Sequence, residues 1–264
     1  MASSNAAKSA SRREQLRAAR EREAAAARRK RIIIVTVVVV IIAALVAVIA
    51  MAASGVFSSK SGSSTKGTAT TVSVRPPNAS PGDKGVFSAD NTNNSAPVLT
   101  VVDDFQCPAC HQYETVYGPV FESLAKKGET RLEYRTRYFL DINLKNDSSV
   151  RAARAAAIAD TFGKYQEYHD TVFSNQPAKE GTGYTDDQLR NAFPQAAGIT
   201  GDDLAKFQSS YDKGEMNAFV DAVDKNASAD GYNSTPTFLS NDKQIKFTNS
   251  APTEDYVMQI VKAA

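Results

Sequence analysis

The sequence predicts an α/β fold, on the basis of three features that follow one another along its second half. A short β-branched run at residues 98–102 has the composition of a buried strand, and a helical pattern follows it. A second strand pattern and a long block of helical patterns come next. Strand character returns only near residue 237, so helices interrupt the sheet, an order typical of α/β folds.

The N-terminal tail, residues 1–31, is strongly basic. Its ten lysines and arginines against three glutamates give a net charge of +7, whereas the whole chain carries +2. An apolar segment follows at once, and positive charge in that position marks the cytoplasmic end of a membrane helix. We therefore assign the tail to membrane topology, and we expect no nucleic-acid partner.

Residues 32–53 form an uncharged apolar segment in which Thr36 is the one polar side chain. At about 1.5 Å per residue its length is roughly 33 Å, enough to cross a hydrocarbon core of about 30 Å. Secretory signals have a shorter apolar stretch, which favours an uncleaved transmembrane helix, although the small residues at 50–52 leave cleavage open. The sequence thus predicts a single-pass protein in the lipid bilayer of the cell membrane, with its N-terminus cytoplasmic and the rest extracytoplasmic.

Residues 54–84 are rich in Ser, Gly, Thr and Pro and contain few large apolar side chains. Such a composition does not bury enough surface to offset chain entropy, so we predict a flexible linker. Residues 85–264 have the length of one domain and enough apolar residues for a core.

Within this domain, the first helix and the second strand follow from periodicity. Apolar residues keep helical spacing from Pro108 to about Gly128, and Pro119 should kink this helix. From Leu132 to Tyr138, apolar residues alternate with charged or polar ones, which predicts a strand with one buried face.

The rest of the domain predicts a helical insertion, a hairpin and a closing helix. Helical patterns continue from about 147 to 230 and separate the two halves of the sheet. Strand character at 237–239 and 244–247 indicates a hairpin. The last segment, 253–261, begins with a threonine cap and acidic residues, as helices often do.

The only cysteines of the chain, Cys107 and Cys110, lie in the stretch DFQCPACH between the first strand and the first helix. Two thiols three positions apart on the first turn of a helix come close together, and the helix N-terminus stabilises a thiolate at Cys107. Pro108 suits that turn because its missing N–H would be unpaired anyway. This context predicts a redox-active dithiol.

Three other interpretations of this stretch are open. Cys107, Cys110 and His111 match the covalent haem pattern, with His169 or Met216 as second axial ligand, but a strand is not expected to lead into a small cytochrome's attachment site. A zinc ion would need Cys107, Cys110, His111 and His169, and adjacent ligands suit one tetrahedral ion poorly. A structural disulfide that closes so short a loop would stabilise the fold weakly. We prefer the dithiol, which requires no cofactor and no metal.

Together these motifs carry a resemblance that covers residues 98–264. CPAC after a strand, a helical block between the sheet halves and TPTF at residues 235–238 resemble the DsbA-type members of the thioredoxin-fold superfamily. The resemblance implies a thioredoxin fold with an inserted helical domain and a thiol–disulfide oxidoreductase of the bacterial envelope. The combination of a membrane tether and a basic tail looks like that of DsbA-type proteins from Gram-positive, especially actinobacterial, envelopes.

The resemblance also assigns roles to four residues. Cys107 would be the attacking thiol and Cys110 the resolving thiol. A cis peptide bond between Thr235 and Pro236 would pack against them and leave the Thr235 backbone open to a client strand. Pro108 supports the site on its own chemical grounds, as a residue suited to the first turn of the helix.

An enzyme of this kind would form disulfides in unfolded exported proteins and be re-oxidised by a quinone-linked membrane partner. The alternative is an envelope thiol reductant or isomerase, or an electron carrier with covalent haem. An isomerase usually needs a dimerisation module, which the linker does not offer, so we expect a monomer.

Two departures from the family pattern are visible. Many relatives carry a buried Glu six residues before the first cysteine, and here that position is Val101. Asp103 and Asp104 are near, but strand alternation should turn at most one of them toward the core. The dipeptide Pro-Ala replaces the Pro-His of the strongest oxidants, so Cys107 should be less acidic and the disulfide less oxidising. His169, in a Tyr-rich helix, is expected to be a surface or packing residue rather than a catalytic one.

Overall fold

The computed structural model describes residues 74–91, 93–248 and 251–264. The basic tail, the transmembrane helix predicted at 32–53 and residues 54–73 of the predicted linker lie outside these ranges. Among the helices described, none is both long enough and apolar enough to cross a membrane.

A mixed five-stranded sheet with the strand order β1-β3-β2-β4-β5 forms the centre of the fold. Its strands are β1 (Val86–Phe87), β2 (Val98–Asp103), β3 (Arg131–Thr136), β4 (Thr237–Ser240) and β5 (Lys243–Ile245). The β2–β3 pair is parallel and the other three pairs are antiparallel. The sheet confirms the predicted α/β class, and the two-residue strand β1 had no counterpart in the prediction.

Helices join and cover these strands. They are α1 (Pro108–Lys126), α2 (Leu140–Leu144), α3 (Ser148–Asp160), α4 (Tyr165–Ser174), α5 (Phe193–Ala196), α6 (Gly201–Lys213), α7 (Asn217–Ala229) and α8 (Glu254–Ala263), with a π-helical turn at Gln188–Ala192. The helix α1 links the parallel strands β2 and β3, and Pro119 lies within it without ending it. Helices α2 to α7 lie between β3 and β4, where the sequence places the insertion.

Strand β3 is buried on both faces, whereas the sequence predicted one exposed face. Glu133 and Arg135 on the polar face are 1% and 4% exposed. Arg135 Nη2 lies 2.9 Å from Glu133 Oε2, which also accepts a hydrogen bond from Thr100 Oγ1 at 2.7 Å. Because these buried charges are paired and hydrogen-bonded, a polar residue at such a position need not face solvent.

Residues 74–84, at the end of the predicted linker, pack against the domain. Ala79 forms a β-bridge with Val86. The backbone N–H and the side-chain amide of Asn78 donate to the two carboxylate oxygens of Asp160, at 2.8 and 2.9 Å. The folded domain therefore begins earlier in the chain than the boundary predicted at Gly85.

An aromatic cluster holds α1 against the hairpin β4–β5. Ring centroids 5.0–6.0 Å apart join Tyr113, Tyr117, Phe121, Phe238 and Phe247. Burying each such side chain stabilises the fold by about 1.5–3 kcal/mol. The cluster fixes the position of α1, and thereby of its first turn, relative to the sheet.

Candidate active site

The two cysteines lie at the N-terminus of α1, immediately after β2 and a short loop. Cys107 is the N-cap residue, with extended backbone angles (φ −76°, ψ 116°), and the backbone N–H of Cys110 donates to its Sγ at 3.4 Å. Pro108 occupies the first helical position. Both cysteines are free thiols, 7% and 3% exposed. The arrangement is that of a dithiol on one helical turn.

The two thiols differ strongly in acidity. The pKa of Cys107 is lowered to about 6, because hydrogen bonds from the Cys110 thiol and from the backbone amides of Cys110 and Ala109 outweigh the opposing effect of burial. Burial, followed by the proximity of Cys107, raises the pKa of Cys110 well above its ordinary value. At neutral pH the pair is therefore a thiolate at Cys107 and a thiol at Cys110.

The loop before β4 lies against Cys107. The carbonyl oxygen of Thr235 is 3.5 Å from Cys107 Sγ, and the Thr235–Pro236 peptide bond is cis. Strand register explains this proximity, because Val102 near the end of β2 pairs with Thr237 at the start of β4. The structure thus brings together the four residues to which the resemblance assigned roles, and Pro108 with them.

The loop that leads to Cys107 is held from the side of the helical insertion. Gln176 Nε2 donates to the carbonyl oxygens of Phe105 and Cys107, at 2.9 and 3.1 Å. Tyr184 Oη donates to the same Phe105 carbonyl at 2.7 Å. Sequence reasoning missed both side chains, because no local pattern marks a residue that bonds to a backbone some 70 positions away.

Asp103 and Asp104 are both buried, and the expectation that at most one would face the core was wrong. Asp103 ends β2, and its Oδ2 lies 2.8 Å from Nε2 of His169 on α4. Asp104 follows the strand, where alternation no longer applies, and accepts hydrogen bonds from Ser149 Oγ at 2.5 Å and from the Gln106 N–H at 3.0 Å. Burial raises the pKa of Asp104 to about 7 despite these bonds.

His169 is a fully buried, charged residue. Its ring packs against those of Phe105, Tyr134, Tyr165 and Phe173. Burial opposes protonation, but hydrogen bonds to Asp103 and Asp170 outweigh it and raise the pKa of His169 to about 10. The ring is therefore an imidazolium at neutral pH.

The residues of the zinc and haem interpretations do not converge. Within the described ranges, the one grouping of three potential ligand side chains is Glu114, His169 and Asp170. None of Cys107, Cys110 and His111 belongs to that grouping.

A small cavity of about 10 Å³ lies next to Cys110. This is space for about one water molecule. Its walls are Val101, Asp103, Cys110, Tyr113, Glu114, Phe121, Phe173, Pro236 and Phe238. Val101 contributes an apolar wall, and Asp103 and Glu114 contribute carboxylates. Sequence reasoning missed Glu114, although its position four residues after Cys110 on one helix face was a usable signal.

Comparisons with known proteins agree with this geometry. The model of the family described as Thioredoxin matches residues 92–262. No curated protein matches the sequence.

Among solved structures, reduced DsbA from Mycobacterium tuberculosis is 25% identical, with a TM-score of 0.56, over 67% of this chain and 92% of that one. DsbG from the same organism, a disulfide bond oxidoreductase, is 24% identical over 70% and 97%, with a TM-score of 0.55. MdbA from Actinomyces oris, a thiol-disulfide oxidoreductase, is 18% identical over 69% and 89%, with a TM-score of 0.57. The last two show similarity of fold.

Proposed function

Because the chain belongs to the thioredoxin family and is an enzyme of thiol–disulfide exchange, we propose that it forms disulfide bonds in exported proteins outside the cytoplasm. The observation that carries this proposal is the difference in acidity between the two cysteine thiols. Cys107 has a pKa of about 6, whereas Cys110 is buried and has a raised pKa.

Client oxidation follows from this asymmetry. A client thiolate attacks Cys107 Sγ, the Cys107–Cys110 bond breaks, and the sulfur of Cys110 leaves with the electron pair and takes up a proton. A second client thiolate then attacks the client sulfur of the mixed disulfide and releases Cys107 as a thiolate. The client is oxidised by two electrons and the enzyme becomes a dithiol. The low pKa of Cys107 makes it a good leaving group in the second step.

The acidity of Cys107 also favours the oxidising direction. A stabilised thiolate stabilises the reduced enzyme, which makes its disulfide a stronger oxidant. A pKa lowered to about 6 is below that of an ordinary cysteine, as are the pKa values of thioredoxin, about 7, and of the strong oxidant DsbA, about 3.5.

Thr235 is the proposed docking point for the client. Its backbone lies beside Cys107, just before the start of β4. An extended client segment that pairs with this backbone would place its own sulfur next to Cys107, by the general mode of strand addition.

The proposed location and re-oxidation rest on the N-terminal sequence. The basic tail at 1–31 and the apolar segment at 32–53 support a membrane-tethered enzyme with an extracytoplasmic domain. A disulfide-bearing, quinone-linked membrane partner would then reach the dithiol and restore the disulfide.

Redox equilibrium tests the direction of the reaction. The full-length protein is equilibrated with glutathione buffers, and the fraction of Cys107–Cys110 disulfide is measured by thiol alkylation and mass spectrometry. We expect a potential less negative than the roughly −270 mV of thioredoxin, and oxidation of a reduced peptide that carries two cysteines. A potential at or below that of thioredoxin would identify a reductant instead, and Cys107→Ser serves as the inactive control.

A further inference from the structure

Cys110 exchanges a proton in every catalytic cycle. It takes up a proton when it leaves Cys107, and it must lose that proton before it attacks the mixed disulfide formed with the re-oxidising partner. Its side chain is 3% exposed and its pKa is raised. The proton therefore has to pass through the protein, and a group near Cys110 has to accept it.

Asp103 presents one free oxygen in this region. Its Oδ2 is held by His169 Nε2 at 2.8 Å, whereas its buried Oδ1 has no hydrogen-bond donor among the residues that the structure describes. Asp103 and Cys110 line the same cavity, which has the volume of about one water molecule. A water molecule there would accept the Cys110 proton and donate to Asp103 Oδ1.

Glu114 extends the cavity toward the surface. It lies one helical turn after Cys110 on the same face of α1 and lines the same cavity, and its side chain is partly exposed. Gly118, one turn further on, leaves room for it, because a Cβ added there would lie 2.4 Å from Glu114 Oε1. Burial is the largest cause that raises the pKa of Glu114, to about 7.

We propose that Glu114, together with the Asp103–His169 pair, forms the proton-exchange site of Cys110, an inference that rests on the proposed function. In re-oxidation, the proton of Cys110 passes through cavity water to the Glu114 carboxylate. The Cys110 thiolate then attacks Cys107 Sγ, the Cys107–Cys110 bond forms, and the bond from Cys107 to the partner sulfur breaks. The electron pair leaves with the partner thiolate, so the enzyme is oxidised and the partner disulfide is reduced. Glu114 later releases its proton at its exposed edge.

Charged and titratable groups from several elements surround this site. They are Asp103 on β2, Cys107, Tyr113, Glu122 and Lys126 on or at the start of α1, Tyr134 on β3, and Tyr165, His169 and Asp170 on α4. His169 favours the Glu114 anion, whereas Asp103, Asp170 and Glu122 oppose it. Glu114 thus has the balance of charges needed to gain and lose a proton near neutral pH.

A two-step reaction with glutathione disulfide tests the site. The Cys107 thiolate of the reduced full-length protein attacks glutathione disulfide, and Cys110 then resolves the glutathionylated Cys107. Acid quenching and mass spectrometry follow both steps. In Glu114→Gln we expect the first step at the wild-type rate and the second about tenfold slower at neutral pH, because a general base is lost. The control Glu129→Gln removes an exposed carboxylate just after α1 that does not line the cavity, and it should leave both steps unchanged.

Resolution at the wild-type rate in folded Glu114→Gln would overturn the proposal. The pH profile gives a second measurement. In the wild-type protein the second step should accelerate through an inflection near pH 7, because only the ionised form of Glu114 accepts the proton. Asp104 has a pKa in the same range, so the inflection should be absent from Glu114→Gln. A rate that rises in proportion to hydroxide, without an inflection, would refute the proposal. Restored resolution in Glu114→Gln/Val101→Glu, which returns a carboxylate to the cavity wall, would support it.

The proposed function fails independently of this inference. If the wild-type protein does not oxidise a reduced dithiol peptide, disulfide formation is refuted. The reaction with glutathione disulfide would still decide whether resolution by Cys110 depends on Glu114.

Discussion

The carbonyl oxygen of Thr235 lies 3.5 Å from Sγ of Cys107, although the two residues are 128 positions apart. The antiparallel pairing of β4 with β2 produces this contact. The active site therefore depends on the sheet as much as on the helix that carries the cysteines.

The two cysteines should have separable roles. We expect Cys107→Ser to abolish peptide oxidation, because the thiolate is lost, and Cys110→Ser to accumulate mixed disulfides between Cys107 and clients, because the resolving thiol is lost. Non-reducing electrophoresis and mass spectrometry of the trapped species would show this. Mixed disulfides in Cys107→Ser but not in Cys110→Ser would reverse the assignment.

The acidity of Cys107 should depend on a hydrogen-bond donor at position 110. The ultraviolet absorbance of the thiolate should titrate with a midpoint near pH 6 in the reduced wild-type protein. In Cys110→Ala the midpoint should rise toward the ordinary cysteine value, whereas the hydroxyl of Cys110→Ser should keep it lower. An equal midpoint in the Ala and Ser variants would show that the side chain at 110 has no such role.

Breaking the Asp103–His169 pair should destabilise the fold. Asp103→Asn leaves a buried imidazole without its anion, and loss of one partner of a buried ion pair costs about 3–5 kcal/mol. The control Asp170→Asn removes a carboxylate that is 40% exposed and should cost about 1 kcal/mol or less. Urea unfolding of the oxidised proteins, in which the cysteines do not titrate, measures both.

The same pair should make stability depend on pH. The folded pKa of His169 is raised to about 10 from a reference of 6.5. Its contribution is therefore fully present below pH 6.5 and is lost as pH rises through about 10. The wild-type protein should lose more stability than Asp103→Asn over this range, and parallel pH curves would contradict the assignment.

Gly118→Ala should slow proton transfer without destabilising the fold. Alanine favours a helix over glycine by about 1 kcal/mol, and the added Cβ has Glu114 atoms as its three nearest neighbours. We expect a fold at least as stable, with a displaced Glu114 carboxylate and a slower resolution step. In Gly118→Ala/Glu114→Gln the slowing should not add to that of Glu114→Gln alone, because both changes act on the same group. If the two effects on the resolution rate add, Gly118→Ala does not act through Glu114.

Local signals in the sequence were sufficient for much of this structure. The helix that begins at Pro108, the strand before it and the hairpin after Thr235 all follow from periodicity and turn residues, and the dithiol follows from its place between strand and helix. The burial of His169 and Asp104 did not follow, because it depends on the packing of the insertion against β2. The prediction for β3 was wrong at Glu133 and Arg135. A polar side chain indicates an exposed position only when it has no buried partner to pair with.

The hydrogen bonds from the helical insertion to the active-site loop have a consequence for redesign. Gln176 and Tyr184 donate hydrogen bonds to the carbonyl oxygens of Phe105 and Cys107. These bonds reach the backbone, so they do not depend on which side chains the loop carries. Ala109, the second of the two residues between the cysteines, is exposed, and its side chain takes no part in these hydrogen bonds. Its identity is therefore open to exchange, and the oxidising strength of the protein can be tuned at a single surface position while the scaffold around Cys107 stays in place.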